Sequence, residues 1–215
     1  MKTKPAIYEK IMRSSYELLM RKGIAEISIM DIVKRSEISS RTFYRYFKNK
    51  EEVINTIVKS GLERNSRLID QIISTVENPI DAYLILMSNT FEGVKNMSAA
   101  FHDDLPKHYP NIYHEMENFI NRKVFEFHVV MINRGISMGL YRKEINVDIC
   151  ARFLIDARIN SLYRLFSENK KFSKDEIYFE INAFIIYGLC TTNGLERFKY
   201  AADRYFPQIL KHNQT

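Results

Sequence analysis

The sequence predicts an all-α protein: a three-helix head at the N-terminus followed by a larger helical body, about nine to ten helices in all. Three observations lead there. The 215 residues contain only seven Gly and five Pro, well under the roughly 12% of an average chain, and too few for a turn-rich sandwich or barrel. Apolar residues recur at helical spacing, and no stretch alternates as a half-buried strand would. Helix-start signals stand ahead of most of the apolar stripes. With 46% hydrophobic residues a core is affordable, which excludes global disorder.

Each element has its own warrant. Ile7, Ile11, Ser15 and Leu18 form the first stripe, closed by Arg21-Lys22 before Gly23. Ser28 with Asp31 reads as a capping box opening a second helix, in which Ile29, Ile32 and Val33 face inward and which stops near Ser36-Glu37. Ser39 opens a short helix through Phe47, and Asn49 with Glu52 starts a long one to about Ser74. Asn78-Pro79 with Asp81 opens the next, ending near Val94. A short segment, Ala99–Leu105, is expected to stop at Pro106. Long helices are then expected over Asn111–Ile136 and Asn146–Phe166. Ser173 with Glu176 opens Asp175–Cys190, and a last helix covers Leu195–Phe206.

Charge divides the chain. Residues 1–60 hold 13 Lys/Arg against 7 Asp/Glu, while residues 61–215 hold 19 of each. The whole excess of +6 therefore lies in the head, which makes nucleic acid or an anionic membrane the natural partner. The longest apolar runs, Ala82–Met87 and Ala183–Cys190, fall far short of the ~20 residues of a membrane span. No signal-peptide pattern opens the chain. Cys150 and Cys190 stand alone in apolar segments, as reduced core residues do. The expectation is a soluble cytoplasmic protein.

Residues 28–50 carry the function. Two short helices joined by a turn of three to four residues make a helix-turn-helix. On the second helix Phe43 and Phe47 share a face with Tyr46 beside them, against Ile32, Val33 and Ile38. At 100° per residue, Arg41 and Arg45 then point away from the core, with Ser40 and Tyr44 on one flank and Thr42 on the other. Such a helix fits the major groove of B-DNA. Arg pairs bidentately with guanine, while hydroxyls and ammonium groups suit phosphates.

The run Ile38-Ser39-Ser40-Arg41-Thr42-Phe43-Tyr44-Arg45-Tyr46-Phe47-Lys48-Asn49-Lys50-Glu51, preceded by Ile32-Val33, resembles the signature of TetR-family transcriptional regulators. The resemblance covers about the first 50 residues. It implies a DNA-binding domain over residues 1–48 and an effector-binding and dimerisation domain over residues 49–215. It also implies that Thr42, Tyr44 and Lys50 hold phosphates and that Ser40, Arg41 and Arg45 reach bases. Ser28 and Met30 would meet the operator from the preceding helix, and Ser39 and Tyr46 complete the expected set. Many family members carry Gly where this chain has Glu37, so a positive φ there would be strained.

The body is similar to such proteins only in outline. Tyr83, Met87, Phe91, Phe101, Met116, Phe119, Ile120 and Phe127 are the expected wall of a cavity for a hydrophobic or aromatic effector. Lys123, and the line Asp156, Asn160 and Tyr163, would supply polar contacts, because a polar group inside an apolar stripe must be satisfied. The same stripes are also what an ordinary core looks like. His102, Asp103, Asp104, His108 and His114 are not expected to hold a metal, since Pro106 and Pro110 would break the helix that aligns them. No nucleophile elbow, phosphate loop or carboxylate pair is present, so neither catalysis nor a cofactor is expected. The last two long helices, with Ile177, Ile181, Phe184 and Ile185 and with Ala183 and Gly188 allowing close approach, are expected to form a homodimer through a four-helix interface. The expected function is a repressor that leaves a palindromic operator when an effector binds. The alternatives are the same fold governed by a protein partner, or a ligand-binding protein that does not bind DNA.

Overall fold

A computed structural model describes residues 6–157, 162–168 and 171–205. The elements in order are α1 (Ala6–Lys22), α2 (Ile29–Arg35), α3 (Ser40–Tyr44), α4 (Lys50–Thr75), α5 (Pro79–Val94), α6 (Ala99–His108), α7 (Pro110–Phe119), a π-helical turn (Ile120–Val124), α8 (Phe125–Ser137), α9 (Val147–Asp156), α10 (Leu162–Glu168), α11 (Lys174–Leu189) and α12 (Thr192–Tyr205). No strand occurs among the described residues, only one isolated bridge between Tyr141 and Cys190. The all-α expectation holds.

The start signals act as read. Ser28 and Ser173 form complete capping boxes with Asp31 and Glu176. The Asn78 side chain accepts from the amides of Ile80 and Asp81, with Pro79 in the first turn, and Asn49 accepts the Glu52 amide at 2.9 Å. Each satisfies donors that the helix itself cannot.

Four boundaries differ from expectation. Helix α3 ends at Tyr44, and the chain turns before Phe47. Pro106 lies inside α6, which runs on to His108. Proline removes one hydrogen bond but does not prevent a ten-residue helix that packing holds. Of the two breaks expected between His102 and His114, Pro106 makes none, whereas α6 does end at His108, with Tyr109 leaving the helical conformation just before Pro110; no cluster of three potential ligands occurs among the described residues. The helix expected over 111–136 is interrupted by the π turn. That expected over 146–166 is described as α9 and α10, with residues 158–161 outside the described residues.

The chain forms two compact units, Met1–Arg64 with Asn96–Asn118, and Asn65–Lys95 with Phe119–Thr215. The first packs α1–α3 and the start of α4 around Ile11, Leu19, Ile32, Phe43 and Ile54, and includes Phe101, Leu105 and Ile112 from α6 and α7. Burying a side chain the size of Phe43 contributes roughly 1.5–3 kcal/mol. The second has two clusters. One centres on Tyr83, Leu84, Phe91, Tyr178 and Ile186, and the other on Ile69, Ile72, Leu86, Phe127 and Met131. Within it, Arg134 of α8 donates to the carbonyls of Val76 (2.7 Å) and Ile73 (3.3 Å). These carbonyls close α4, where a cation is favoured.

Candidate nucleic-acid interface

The frame of the interface is the pair α2–α3. The Ser28 Oγ accepts the Asp31 amide at 3.2 Å, and Asp31 Oδ2 accepts the Ser28 amide at 2.8 Å. Hydrogen bonds from the Ser28 side chain and then its backbone hold the Asp31 carboxyl below its ordinary range. At the other end of α2 the Ile38 amide reaches the Val33 carbonyl (3.3 Å) and the Glu37 amide reaches Lys34 (3.2 Å). This is a Schellman turn, which needs a left-handed residue at its corner. Glu37 supplies it, at φ 49°.

Ser39 then caps α3, accepting the Thr42 amide at 3.1 Å. Phe43 is fully buried and Phe47 stacks on Tyr8 with centroids 5.5 Å apart, which fixes the helix rotation. Arg41 and Arg45 are consequently exposed, and neither joins an ion pair among the described residues. Tyr44 is 55% exposed and stands edge-on to Phe43 at 5.5 Å. Met30, 62% exposed, lies beside Ser40, whose Oγ donates to its sulfur at 3.6 Å. Met30 on α2, Ser40, Arg41 and Tyr44 on α3, and Arg45 at the C-cap of α3 are thereby brought together.

Other expected DNA contacts are placed differently. Tyr46 is half-buried, with its ring 6.3 Å from that of Tyr8, and serves the core. The hydroxyls of Ser28, Ser39 and Thr42 are engaged in capping. Lys50, half-buried, donates to the Ile24 carbonyl in the loop after α1. Burial pushes its ammonium pKa down, against the pull of Asp104 and Asp31.

The expected effector residues do not form one group. Phe101 and Met116 pack in the core of the first unit. Tyr83, Met87 and Phe91 lie in one cluster of the second unit, Phe127 and Phe119 in the other. Ile120 is half-buried in the π turn, and Lys123 is paired with Asp70 of α4. Asp156 is exposed, so no buried polar line runs through it. Asn160 lies outside the described residues, as does the side chain of Tyr163. Sequence reasoning missed two buried polar residues of the second unit, His128 and Asn182. Asn182 accepts the Tyr83 hydroxyl at 2.8 Å and donates to the Tyr178 carbonyl at 2.6 Å, while the Tyr178 hydroxyl reaches the Met87 carbonyl at 2.8 Å. The signal was available: a polar residue inside the apolar run of α11.

A capped helix-turn-helix that presents two exposed arginines is the arrangement of a DNA-binding transcriptional regulator. Residues 11–57 match the family model described as "Bacterial regulatory proteins, tetR family". The chain is 29% identical over 184 residues to the uncharacterized HTH-type transcriptional regulator YvdT of Bacillus subtilis, covering 80% of this chain and 91% of that one. It is 21% identical over 192 residues to the HTH-type transcriptional repressor KstR2 of Mycolicibacterium smegmatis, covering 86% and 92%. The fold is shared with the crystal structure of the transcriptional regulator FadR from Bacillus subtilis in complex with stearoyl-CoA. That likeness has a TM-score of 0.65 at 16% identity over 84% of this chain and 98% of that one. Among the described residues no helix is long and apolar enough to cross a membrane.

Proposed function

We propose that this regulator is a homodimeric repressor that reads a palindromic operator and releases it when a hydrophobic or aromatic effector binds. The observation that carries the reading is the outward set Arg41, Tyr44 and Arg45 on a helix whose rotation is fixed by Phe43. Arg41 and Arg45 read base edges, and the exposed Tyr44 hydroxyl holds a phosphate. DNA reading is assigned to residues 1–48, effector binding and dimerisation to residues 49–215. The ring- and methionine-rich interior around Tyr83, Met87 and Phe91, with the polar pair Tyr83–Asn182, supports an effector of apolar body with one hydrogen-bonding group. That a relative of the same fold holds stearoyl-CoA agrees with this class. Effector binding releases DNA only if it favours a state in which the two heads no longer match the operator.

The dimer is assigned to α9 and α11, but not through all the residues that the sequence singled out. Ile177 and Ile185 are buried within the subunit and Ile181 is partly so, whereas Phe184 is 75% exposed. Ile149 and Phe153 on α9 and Tyr187 on α11 are also exposed. Apolar side chains of this size left open on long helices favour a second copy as their cover.

Selection of bound duplexes from a random-sequence pool tests the reading. The expected product is a two-fold symmetric site whose half-sites are about one helical turn apart or a multiple of it. Unselective recovery of sequences would count against it. Addition of stearoyl-CoA, as a probe of the effector class, is expected to release the selected duplex.

A further inference from the structure

Helix α6 is bound to the loop that leads into α2, entirely within the first unit. The amide of Ser98, the residue that caps α6, donates to the Met20 carbonyl at 2.7 Å. Met20 lies in the last turn of α1, where carbonyls lack intrahelical partners. One turn into α6, Asp104 Oδ2 accepts the amides of Ile24 (2.9 Å) and Ala25 (2.8 Å), about 80 residues away in sequence. Between these contacts stands Gly23, at φ 89°. A Cβ there would lie 2.6 Å from the Ala100 Cβ and 3.1 Å from Asp104 Oδ2. From the other side, Lys50 of α4 donates to the Ile24 carbonyl. The peptide around Ile24 is thus held by its N–H from α6 and by its C=O from α4.

We propose that Asp104 is a positioning residue for operator recognition. It touches no DNA. It fixes the loop over residues 23–27 and, through it, the start of α2, where Ser28 and Met30 stand and against which α3 is packed. The acid suits this task because a carboxylate oxygen can accept two adjacent amides at once, and such charge-assisted bonds are the stronger kind. Nothing else in the chemistry of DNA binding calls for an acid here. A carboxylate near a phosphate surface lowers affinity by charge alone.

That opposition of sign makes the test sharp. The proposal rests on DNA binding by the head, and its probe is the duplex that the unaltered full-length protein selects from a random pool. Asp104→Ala removes a negative charge, so electrostatics alone predicts tighter binding. Loss of positioning predicts binding weaker by about tenfold. The slope of log affinity against log salt should stay unchanged, since no phosphate contact is lost. Asp104→Asn keeps an acceptor and loses the same charge, and is expected to stay within about threefold of the parent. Gly23→Ala, which leaves Asp104 in place, should weaken binding with the same unchanged slope. Amide exchange at Ile24 and Ala25 should quicken in Asp104→Ala while the core amides of α1 stay protected, and titration to stoichiometry fixes the active fraction should that variant fold poorly. Parental or tighter binding by Asp104→Ala at full active fraction overturns the proposal, as does a decreased salt slope, which would make the loss one of phosphate contact. Failure of the parent to select any duplex would overturn the DNA-binding reading, and this inference with it.

Discussion

The ammonium of Lys10 in α1 meets the carboxylate of Glu37 at 2.7 Å, and Glu37 is the residue that takes the left-handed corner of the helix-turn-helix. The pair is exposed on both sides, where ion pairs contribute little. The corner conformation is one that glycine adopts freely and other residues do not. Glu37→Gly is therefore expected to raise the melting temperature by about 2 °C, the relief at φ outweighing the lost pair. A β-branched Glu37→Val should lower it clearly. Thermal melts of both variants decide the point, and a fall for Glu37→Gly would show that Lys10 matters more than the backbone.

Arg41→Ala is expected to weaken operator binding by about 1–3 kcal/mol and to relax the preference at one base position in each half-site. A loss equal for every sequence would make Arg41 a phosphate contact instead. Competition binding against single-position variants of the selected duplex separates the two.

Arg134 closes α4 by donating to the carbonyls of Val76 and Ile73. Its guanidinium spans two acceptors, which an ammonium cannot do in the same plane. Arg134→Ala should cost about 1–3 kcal/mol, with Arg134→Lys recovering only part. Urea unfolding measures both. Equal stability for Lys and Arg would mean that charge alone suffices there.

Acid should loosen the head. The side-chain hydrogen bond from Arg35 lowers the Glu17 pKa, that from Lys10 lowers Glu37, and that from Ser28 lowers Asp31. A depressed carboxylate pKa gives stability that is present above the unfolded value and lost as pH falls through the folded one. The loss should begin near the ordinary values of 4.5 for Glu and 3.8 for Asp and continue below them. Melting temperature followed from pH 7 downward checks this. Removing all three acids should flatten the curve in that window. Cys190 lies at the other extreme: burial pushes its thiol up to about 12, so in a Cys150→Ser protein at pH 8 it should resist thiol reagents until denaturant is added.

Phe184→Glu is expected to give a monomer by sedimentation while the circular dichroism stays helical, because Phe184 is open to solvent in the single chain. Ile185→Glu should instead unfold the subunit, since Ile185 is buried within it. An unchanged dimer for Phe184→Glu would place the interface elsewhere.

Features that depend on neighbours three or four residues away are legible along the chain. Caps at Ser28, Ser39, Asn78 and Ser173 were legible because each bonds its own first turn. So was the outward placement of Arg41 and Arg45, because helix geometry fixes it once Phe43 is inside. Features that depend on a second element emerge only when the chain is folded. Phe101 and Met116 carry the same apolar periodicity as Tyr83 and Phe127, yet they belong to the other compact unit. Ile185 and Phe184 are adjacent and equally apolar, but one is covered and the other is not. Asp104 reads in the sequence as one acid among several, and becomes a clamp only because α6 brings it to the amides of Ile24 and Ala25. A local pattern states which face of a helix is apolar. What lies against that face is set by chain segments that the pattern does not contain.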